Sequence, residues 1–309
     1  MKKPIDSRVI GVMVILCMIW GLQQTSMKVV AGSVDPLMQI GVRSGIAAVL
    51  VWGFSRLWRR DNWHRGIFLG PGLLAGLLFA SEFLLVAEGL RFTTASHISV
   101  FLYTAPIFAA IGLHIAQPDE RLSVVQWVGV TVAFGGVAAI FLLPELGAAS
   151  SVTRGMVIGD LLGLAAGLCW GLTTVVIRTT RVADAPPTQT LIAQLSVAAM
   201  MALGVCFVTG RAGITPTPMV LASLSFQTLI VCSISFLVWF GLLQVYRSSR
   251  LGVLSFMTPV FGVAFGALLL GEPITPEFLL GGVMVLIGMT IVQAQEWFLS
   301  RKPAPAPCS

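Results

Sequence analysis

The chain has 309 residues, of which 56% are hydrophobic and only 10% charged, with a formal net charge of +6. Soluble domains carry about 25% charged residues, so this chain lacks the polar surface to face water on all sides. A bilayer is the expected medium, and the positive balance is read as membrane orientation rather than nucleic-acid binding.

Runs of about 20 residues with few charges predict ten membrane spans. In chain order they are 8–31, 37–57, 66–90, 95–116, 122–142, 156–178, 188–209, 221–246, 252–271 and 276–298. Each must be a helix, because backbone groups in hydrocarbon have to bond within their own segment and these runs are too long for barrel strands. The expected fold class is an all-α membrane protein.

The first span carries Trp20 near mid-depth, Gln24, and Lys28 near its end. Its apolar run exceeds a typical leader core, so a cleaved signal peptide is not expected. Arg43 in the second span and Glu82 in the third lie roughly 9 and 12 Å deep at 1.5 Å per residue. Lys28 and Glu88, near span ends, are expected to be solvated. The fourth span holds His97, Tyr103 and Pro106, and a connection, 143–155, follows the fifth. The sixth holds Trp170, Thr174 and a ladder of Gly155, Gly159, Gly163, Gly167 and Gly171, a spacing that lets another backbone approach closely. Gln194 is in the seventh span, Ser235 and Trp239 in the eighth, and Pro259, Gly262 and Gly266 in the ninth. Pro106 and Pro259 should bend their helices, and the carbonyls they free could line a cavity. The Pro303–Pro307 tail reads as a short disordered end.

The chain repeats itself. Ile19-Trp20-Gly21-Leu22 recurs as Cys169-Trp170-Gly171-Leu172, 150 residues on, and Thr104-Ala105-Pro106-Ile107-Phe108 as Met257-Thr258-Pro259-Val260-Phe261, 153 residues on. Around the second pair, Leu90, Ala95-Ser96-His97-Ile98 and Val100 answer Leu243, Ser248-Ser249-Arg250-Leu251 and Val253. Two units, 1–150 and 151–300, are therefore expected, followed by a 301–309 cytoplasmic tail. Five spans per unit make the second an inverted copy of the first.

Loop charge agrees with that topology. With both termini cytoplasmic, Lys2, Lys3, Arg8, Arg56, Arg59, Arg60, Arg65, Arg121, Arg178, Arg181, Arg247, Arg250, Arg301 and Lys302 fall inside, against Arg91, Arg154 and Arg211 outside. Trp58, Trp63, Trp127 and Trp297 fall near cytoplasmic ends, as an interfacial belt would. The run Arg56 to Arg65 is placed to meet anionic lipid.

Chemistry is sparse. No Walker loop, HExxH or Cys/His cluster of metal spacing is present, and His64, His97 and His114 lie on separate segments. Cys17, Cys169, Cys206 and Cys232 sit inside spans, so no disulfide framework is expected. An enzyme is not expected, and neither is a metal or a cofactor beyond a coupled proton.

Arg43 in Val42-Arg43-Ser44-Gly45, the stretch Leu90-Arg91-Phe92-Thr93-Thr94-Ala95-Ser96, the mid-span prolines, and Gly271-Glu272-Pro273-Ile274-Thr275 before Gly281-Gly282 together closely resemble EamA-type members of the drug/metabolite transporter superfamily. The resemblance runs over about residues 8–298. It implies a secondary carrier of the inner membrane, often an exporter of amino acids or other small metabolites. The first-half counterpart of Gly-Glu-Pro departs from it, reading Gln117-Pro118-Asp119-Glu120-Arg121.

Inverted repeats place a substrate near the midplane between the halves. The candidates are Trp20, Gln24, Arg43, Glu82, Tyr103, Trp170, Thr174, Gln194, Ser235 and Trp239. Charges buried in a span normally face a partner or a wet cavity, so Arg43, Glu82, Gln24 and Tyr103 are expected to form one polar layer. At the repeat offset, Arg43 maps to Gln194 and Glu82 to Ser235, making the second layer neutral and its gate weaker. That asymmetry predicts a resting state open to the cytoplasm. Few fixed charges and several rings suit a small amphipathic solute, such as an apolar or aromatic amino acid or a cationic aromatic compound, better than a phosphate or nucleotide sugar. The expected partners are that solute and membrane lipid, with the protein a monomer or homodimer. The alternatives are a channel, a lipid scramblase or, further off, a membrane-embedded enzyme.

Overall fold

The computed structural model describes residues 7–59, 61–63, 66, 70–118, 121–146, 154–246, 251 and 254–299. Lys2, Lys3, Arg60, His64, Arg65, Asp119, Glu120, Arg247, Arg250, Arg301, Lys302, Cys308, the tail, and most of the 143–155 connection lie outside the described residues, as does the side chain of Trp297.

The described chain is helical. Its helices are α1 (Ser7–Val29), α2 (Pro36–Phe54), α3 (Pro71–Gly89), α4 (Ala95–Leu102), α5 (Ala105–Ala116), α6 (Val124–Leu146), α7 (Arg154–Thr179), α8 (Pro187–Val208), α9 (Pro218–Ser225), α10 (Phe236–Val245), α11 (Met257–Leu270) and α12 (Pro276–Leu299). π-Helical turns extend α2 over Ser55–Arg59 and join α9 to α10 over Phe226–Ser235. By length and composition seven of these stretches can cross a membrane: 7–29, 36–59, 71–89, 95–116, 154–179, 187–208 and 218–239. Shorter apolar helices cover Val124–Ile140, Met257–Leu270 and Pro276–Val292. The protein is a multi-pass membrane protein.

Local chemistry sets the helix starts. Proline stands in the first turn of α2, α3, α5, α8 and α9, where its missing N–H is not needed. The side chains of Asp35, Thr94 and Thr217 cap α2, α4 and α9.

Three expectations need correction here. The third helix begins at Pro71 rather than near residue 66. The fourth span is not one bent helix but two, broken at Tyr103–Thr104, with Pro106 in the first turn of α5; Pro259 likewise stands in the first turn of α11. The carbonyl that Pro106 leaves without a helix donor, Leu102 O, faces Gly167 of α7 rather than a cavity, while Phe101 O stays bonded to Thr104 N and Oγ1 at 3.1 and 2.6 Å. A Cβ on Gly167 would lie 2.8 Å from Phe101 O and 3.1 Å from Leu102 O, so only a residue without one lets α7 seat against the break.

In lipid, apolar burial gives little drive for helix association, and close packing must supply it. The ladder of α7 does this: Gly159 lies against Thr93, Gly163 against Ile98 and Phe101, Gly167 against Thr104, and Gly171 against Phe108. On its other side α4 meets α11, where Ser99 sits over Gly262 and Ser96 over Gly266. All eight residues of α4 are buried as a result. A second seam joins α6 and α12, which run antiparallel: Gly129 packs on Gly288, and Gly136 on Gly281.

Candidate functional site

The sequence candidates fall into two aromatic pairs and one buried charge layer. Trp20, half-buried on α1, reaches across to the far half of the chain, where its Nε1–H donates to Ser235 Oγ at 2.9 Å and its ring meets Trp239 edge-on with centroids 5.5 Å apart. Ser235 ends the π-helical turn and donates in turn to Val231 O at 2.6 Å. Trp170 on α7 meets Tyr103, at the α4–α5 break, edge-on at 5.1 Å. Each of these pairs joins the two halves of the sequence.

Arg43 on α2 is 1% exposed and Glu82 on α3 is 4% exposed. They attract each other, yet among the described residues no ion-pair contact joins them. Arg43 instead touches Met27 Sδ through Nη1 at 3.9 Å and lies 4.7 Å from the centre of the Phe83 ring. Cys232 of the π-helical turn, and Tyr103 and Cys169, lie within the electrostatic reach of Arg43 and Glu82 respectively.

The charge layer is not closed on itself. Among the described residues Arg43 Nε, Glu82 Oε2, Gln24 Oε1, Thr25 Oγ1, Ser99 Oγ and Gln227 Oε1 are buried without a partner. Leaving such an atom dry costs about 1–3 kcal/mol, so a set of them points to water or a ligand, although Ser99 Oγ is covered by Gly262. Two candidates stand apart: Thr174 bonds back to Trp170 O at 3.2 Å, and Gln194 is buried on α8 without a described bond to any other candidate.

One end of the bundle is locked by polar contacts. Arg211, after α8, forms a two-pronged pair with Asp35 (Nε–Oδ2 2.8 Å, Nη2–Oδ1 3.0 Å) and a bond to Glu88 at 2.5 Å. Burial opposes the Arg211 charge, but its bonds to Asp35 and Glu88 outweigh it and hold the pKa above the ordinary value. Val34 and Ile214 form a β-bridge beside it. Lys28 bonds to Thr93 O and lies 3.7 Å from Glu272 Oε1. Glu272 caps α4 by accepting from the backbone N–H groups of Ala95 and Ser96 at 2.7 and 2.9 Å and from Ser96 Oγ at 2.6 Å. Asp160 of α7 accepts from Thr93 Oγ1 at 2.5 Å and pairs with His97 Nδ1 at 2.9 Å. Lys28 and Glu88 keep partial exposure, 29% and 28% of the side chain, and are in addition engaged in ion pairs that the expectation of solvation did not include. The opposite end holds a smaller group, in which Ser55 and Thr188 donate to Asp61 at 3.0 and 2.6 Å and Trp63 donates to Ser55 at 3.1 Å.

This arrangement coincides with a repeated family unit. The model of the EamA-like transporter family matches residues 7–142 and again 157–293, together most of the chain. The chain belongs to the EamA-like transporter family. That places it with the drug/metabolite transporter superfamily. The matched units start 150 residues apart, the offset that separates Trp20 from Trp170. A Bacillus subtilis (strain 168) protein named as the uncharacterized transporter YoaV is 26% identical over 277 residues, spanning 88% of this chain and 92% of its own. A probable amino-acid metabolite efflux pump of Escherichia coli (strain K12) is also 26% identical, over 298 residues, spanning 92% and 95%. A solved crystal structure, 16% identical, superposes with a TM-score of 0.63 over 95% of this chain and 99% of its own, which establishes a shared fold.

Sequence reading missed several polar residues of this EamA-like chain. Asp160 is an acid inside a predicted span, the same signal that singled out Glu82, and was passed over. Gln39 and Gln227 were missed because neutral amides leave little mark on hydropathy. Both are fully buried and joined at 2.9 Å, and Gln39 also donates to Met27 O and Val34 O at 3.0 Å. Arg211 was read only as an outer-loop charge. In this EamA-like bundle Arg211→Ala is expected to leave Asp35 and Glu88 facing each other without their shared cation. A cysteine at Thr25, 1% exposed in the last turns of α1, should then label severalfold faster with a membrane-impermeant maleimide; an unchanged rate would show that the clasp does not restrain that end.

Proposed function

We propose that this EamA-like transporter exports small amphipathic metabolites, apolar or aromatic amino acids among them, across the inner membrane by alternating access. The reading takes the three shorter apolar helices as spans alongside the seven longer ones, giving ten in two inverted units with both termini in the cytoplasm. The α6–α12 seam supports the inversion. Gly129 and Gly281 occupy equivalent places in the two units, as do Gly136 and Gly288. Each glycine packs on the equivalent of the other, the reciprocal contact that a twofold axis between units produces.

One observation carries the substrate site: Arg43 and Glu82, both buried, keep unused hydrogen-bonding atoms instead of neutralising each other at contact distance. A group that merely held helices together would have closed that pair. A guanidinium, a carboxylate and the rings of Trp20, Tyr103, Trp170 and Trp239 suit a solute with a polar head and an apolar body better than a phosphate, which would ask for more cations. The relative named as a probable amino-acid metabolite efflux pump supports the same class. The clasp of Arg211, Asp35 and Glu88, with Lys28 and Glu272, is read as the closed outer gate. The resting state then opens to the cytoplasm, as an exporter needs for loading.

Counterflow in proteoliposomes with a panel of labelled amino acids tests the function. Exchange of leucine, phenylalanine or tryptophan well above that of aspartate or lysine is expected, and no exchange of any member would refute the reading. Glu82 is also the proposed carrier of the coupled proton, so Glu82→Gln is expected to lower pH-gradient-driven uphill uptake further than it lowers exchange at equal pH; undiminished gradient-driven uptake would assign the proton elsewhere.

A further inference from the structure

One contact of the first unit with the second is made differently at its equivalent place. Trp20 and Trp170 correspond at an offset of 150 residues, and Ser235 and Glu82 at 153. In one place the indole and the polar residue are joined, Trp20 Nε1 donating to Ser235 Oγ at 2.9 Å. In the equivalent place they are not. Glu82 Oε2 is buried with no partner, and among the described residues the Trp170 N–H has no acceptor. Tyr103 lies between the parts: Trp170 rests edge-on against it at 5.1 Å, and Glu82 acts electrostatically on both Tyr103 and Cys169, the neighbour of Trp170.

We infer that Trp20–Ser235 and Trp170–Glu82 are reciprocal halves of one switch, the first bond made when the outer end is closed and the second made in its place when the outer end opens. The inference rests on the alternating-access reading. If two equivalent units exchange roles during the cycle, a contact made in one and open in the other is exchanged in the opposite state wherever both hold a donor and an acceptor. An orphaned carboxylate oxygen matched to a free indole N–H is such a difference. The π-helical turn gives Ser235 room to leave. A segment wound with i→i+5 bonds over Phe226–Ser235 can tighten to α-helix, which rotates its last residue away from Trp20. Glu82 stands on an α-helix, and on that side it is α7, carrying Trp170, that moves. Trp20 and Trp170 therefore act as positioning residues with opposite effects on one equilibrium, although they are repeats of the same motif.

The test uses the full chain in proteoliposomes with Thr25→Cys as the outer reporter, since Thr25 is buried and its hydroxyl has no bond to lose. The readout is its labelling rate by an impermeant maleimide from outside, with the native cysteines as the unsubstituted control. Trp20→Phe keeps the ring and removes the N–H that stabilises the closed outer end, so labelling should rise about threefold to tenfold, the equivalent of one neutral hydrogen bond. Trp170→Phe removes the N–H that stabilises the open outer end, and labelling should fall about tenfold, because its acceptor is a carboxylate. Ser235→Ala should reproduce Trp20→Phe. Glu82→Gln, which keeps an acceptor, should fall less far than Trp170→Phe. Both tryptophan variants moving the rate in the same direction, or neither moving it, would overturn the switch while leaving alternating access intact. A reporter never labelled from outside in the otherwise native chain would overturn alternating access itself, and the switch with it.

Discussion

Arg43→Ala is expected to abolish transport and to destabilise the fold more than any other single change in the charge layer. Arg43 is among the largest fully buried side chains, and its guanidinium is the cation that offsets Glu82 within the protein. Removing it leaves an uncompensated buried carboxylate and an empty volume beside Phe83 and Met27. Breaking a buried charge pair by deleting one partner costs about 3–5 kcal/mol. The melting midpoint in detergent, followed by tryptophan fluorescence, should fall by several degrees, and amino-acid counterflow should drop to background. The double variant Arg43→Gln with Glu82→Gln separates the two effects. With no net charge left to bury, stability should recover most of the loss while transport stays at background. Native melting together with native counterflow in Arg43→Ala would show that neither the layer nor the site depends on this residue.

Gly136→Leu is expected to prevent recovery of a monodisperse protein. A Cβ at Gly136 would lie 2.5 Å from Gly281 O and 2.8 Å from both Met284 Cβ and Val285 N. Two of these neighbours are backbone atoms and cannot swing aside. Even a methyl group forces α6 and α12 apart, and overpacking of a rigid contact typically costs about 1–3 kcal/mol before any larger side chain is considered. Gly136→Ala should therefore lower the melting midpoint measurably, and Gly136→Leu should shift the protein to aggregate in size-exclusion chromatography. Gly204, where an added Cβ meets nothing within 4 Å, is the control, and Gly204→Ala should leave both measurements unchanged. Equal tolerance of Ala at Gly136 and Gly204 would show that the seam is not tightly packed.

The site was partly legible because burying charge in lipid is so costly that each instance stands out. Arg43 and Glu82 were found that way, and Trp20 and Trp170 by their repetition. Their neighbours were not legible in the same way. Trp239 and Ser235 were chosen by depth and by offset, whereas their common contact with Trp20 spans 215 residues for the hydrogen bond and follows from how the helices cross. The ion pairs of Lys28 and Glu88 were not legible, because position near a span end gives exposure to the membrane boundary but says nothing of which segment folds over it. Arg211 supplies that cover for Glu88, and Glu272 answers Lys28, each from the other unit.

The amino-acid sequence alone determines that this chain is helical and membrane-embedded, that it is built of two related units, and which charges are buried in lipid. Those properties depend on the local cost of leaving backbone and charge unsatisfied in hydrocarbon, and that cost is written residue by residue. Tertiary structure alone decides that the fourth span breaks at Tyr103 rather than bending at Pro106, that Arg43 and Glu82 stay apart, and that Trp20 has an acceptor where Trp170 has none among the described residues. Each of these depends on the angle and separation at which separate helices meet. Those angles are set by glycine contacts between segments more than 60 residues apart in the chain, as between Gly167 and Phe101, which no local pattern encodes.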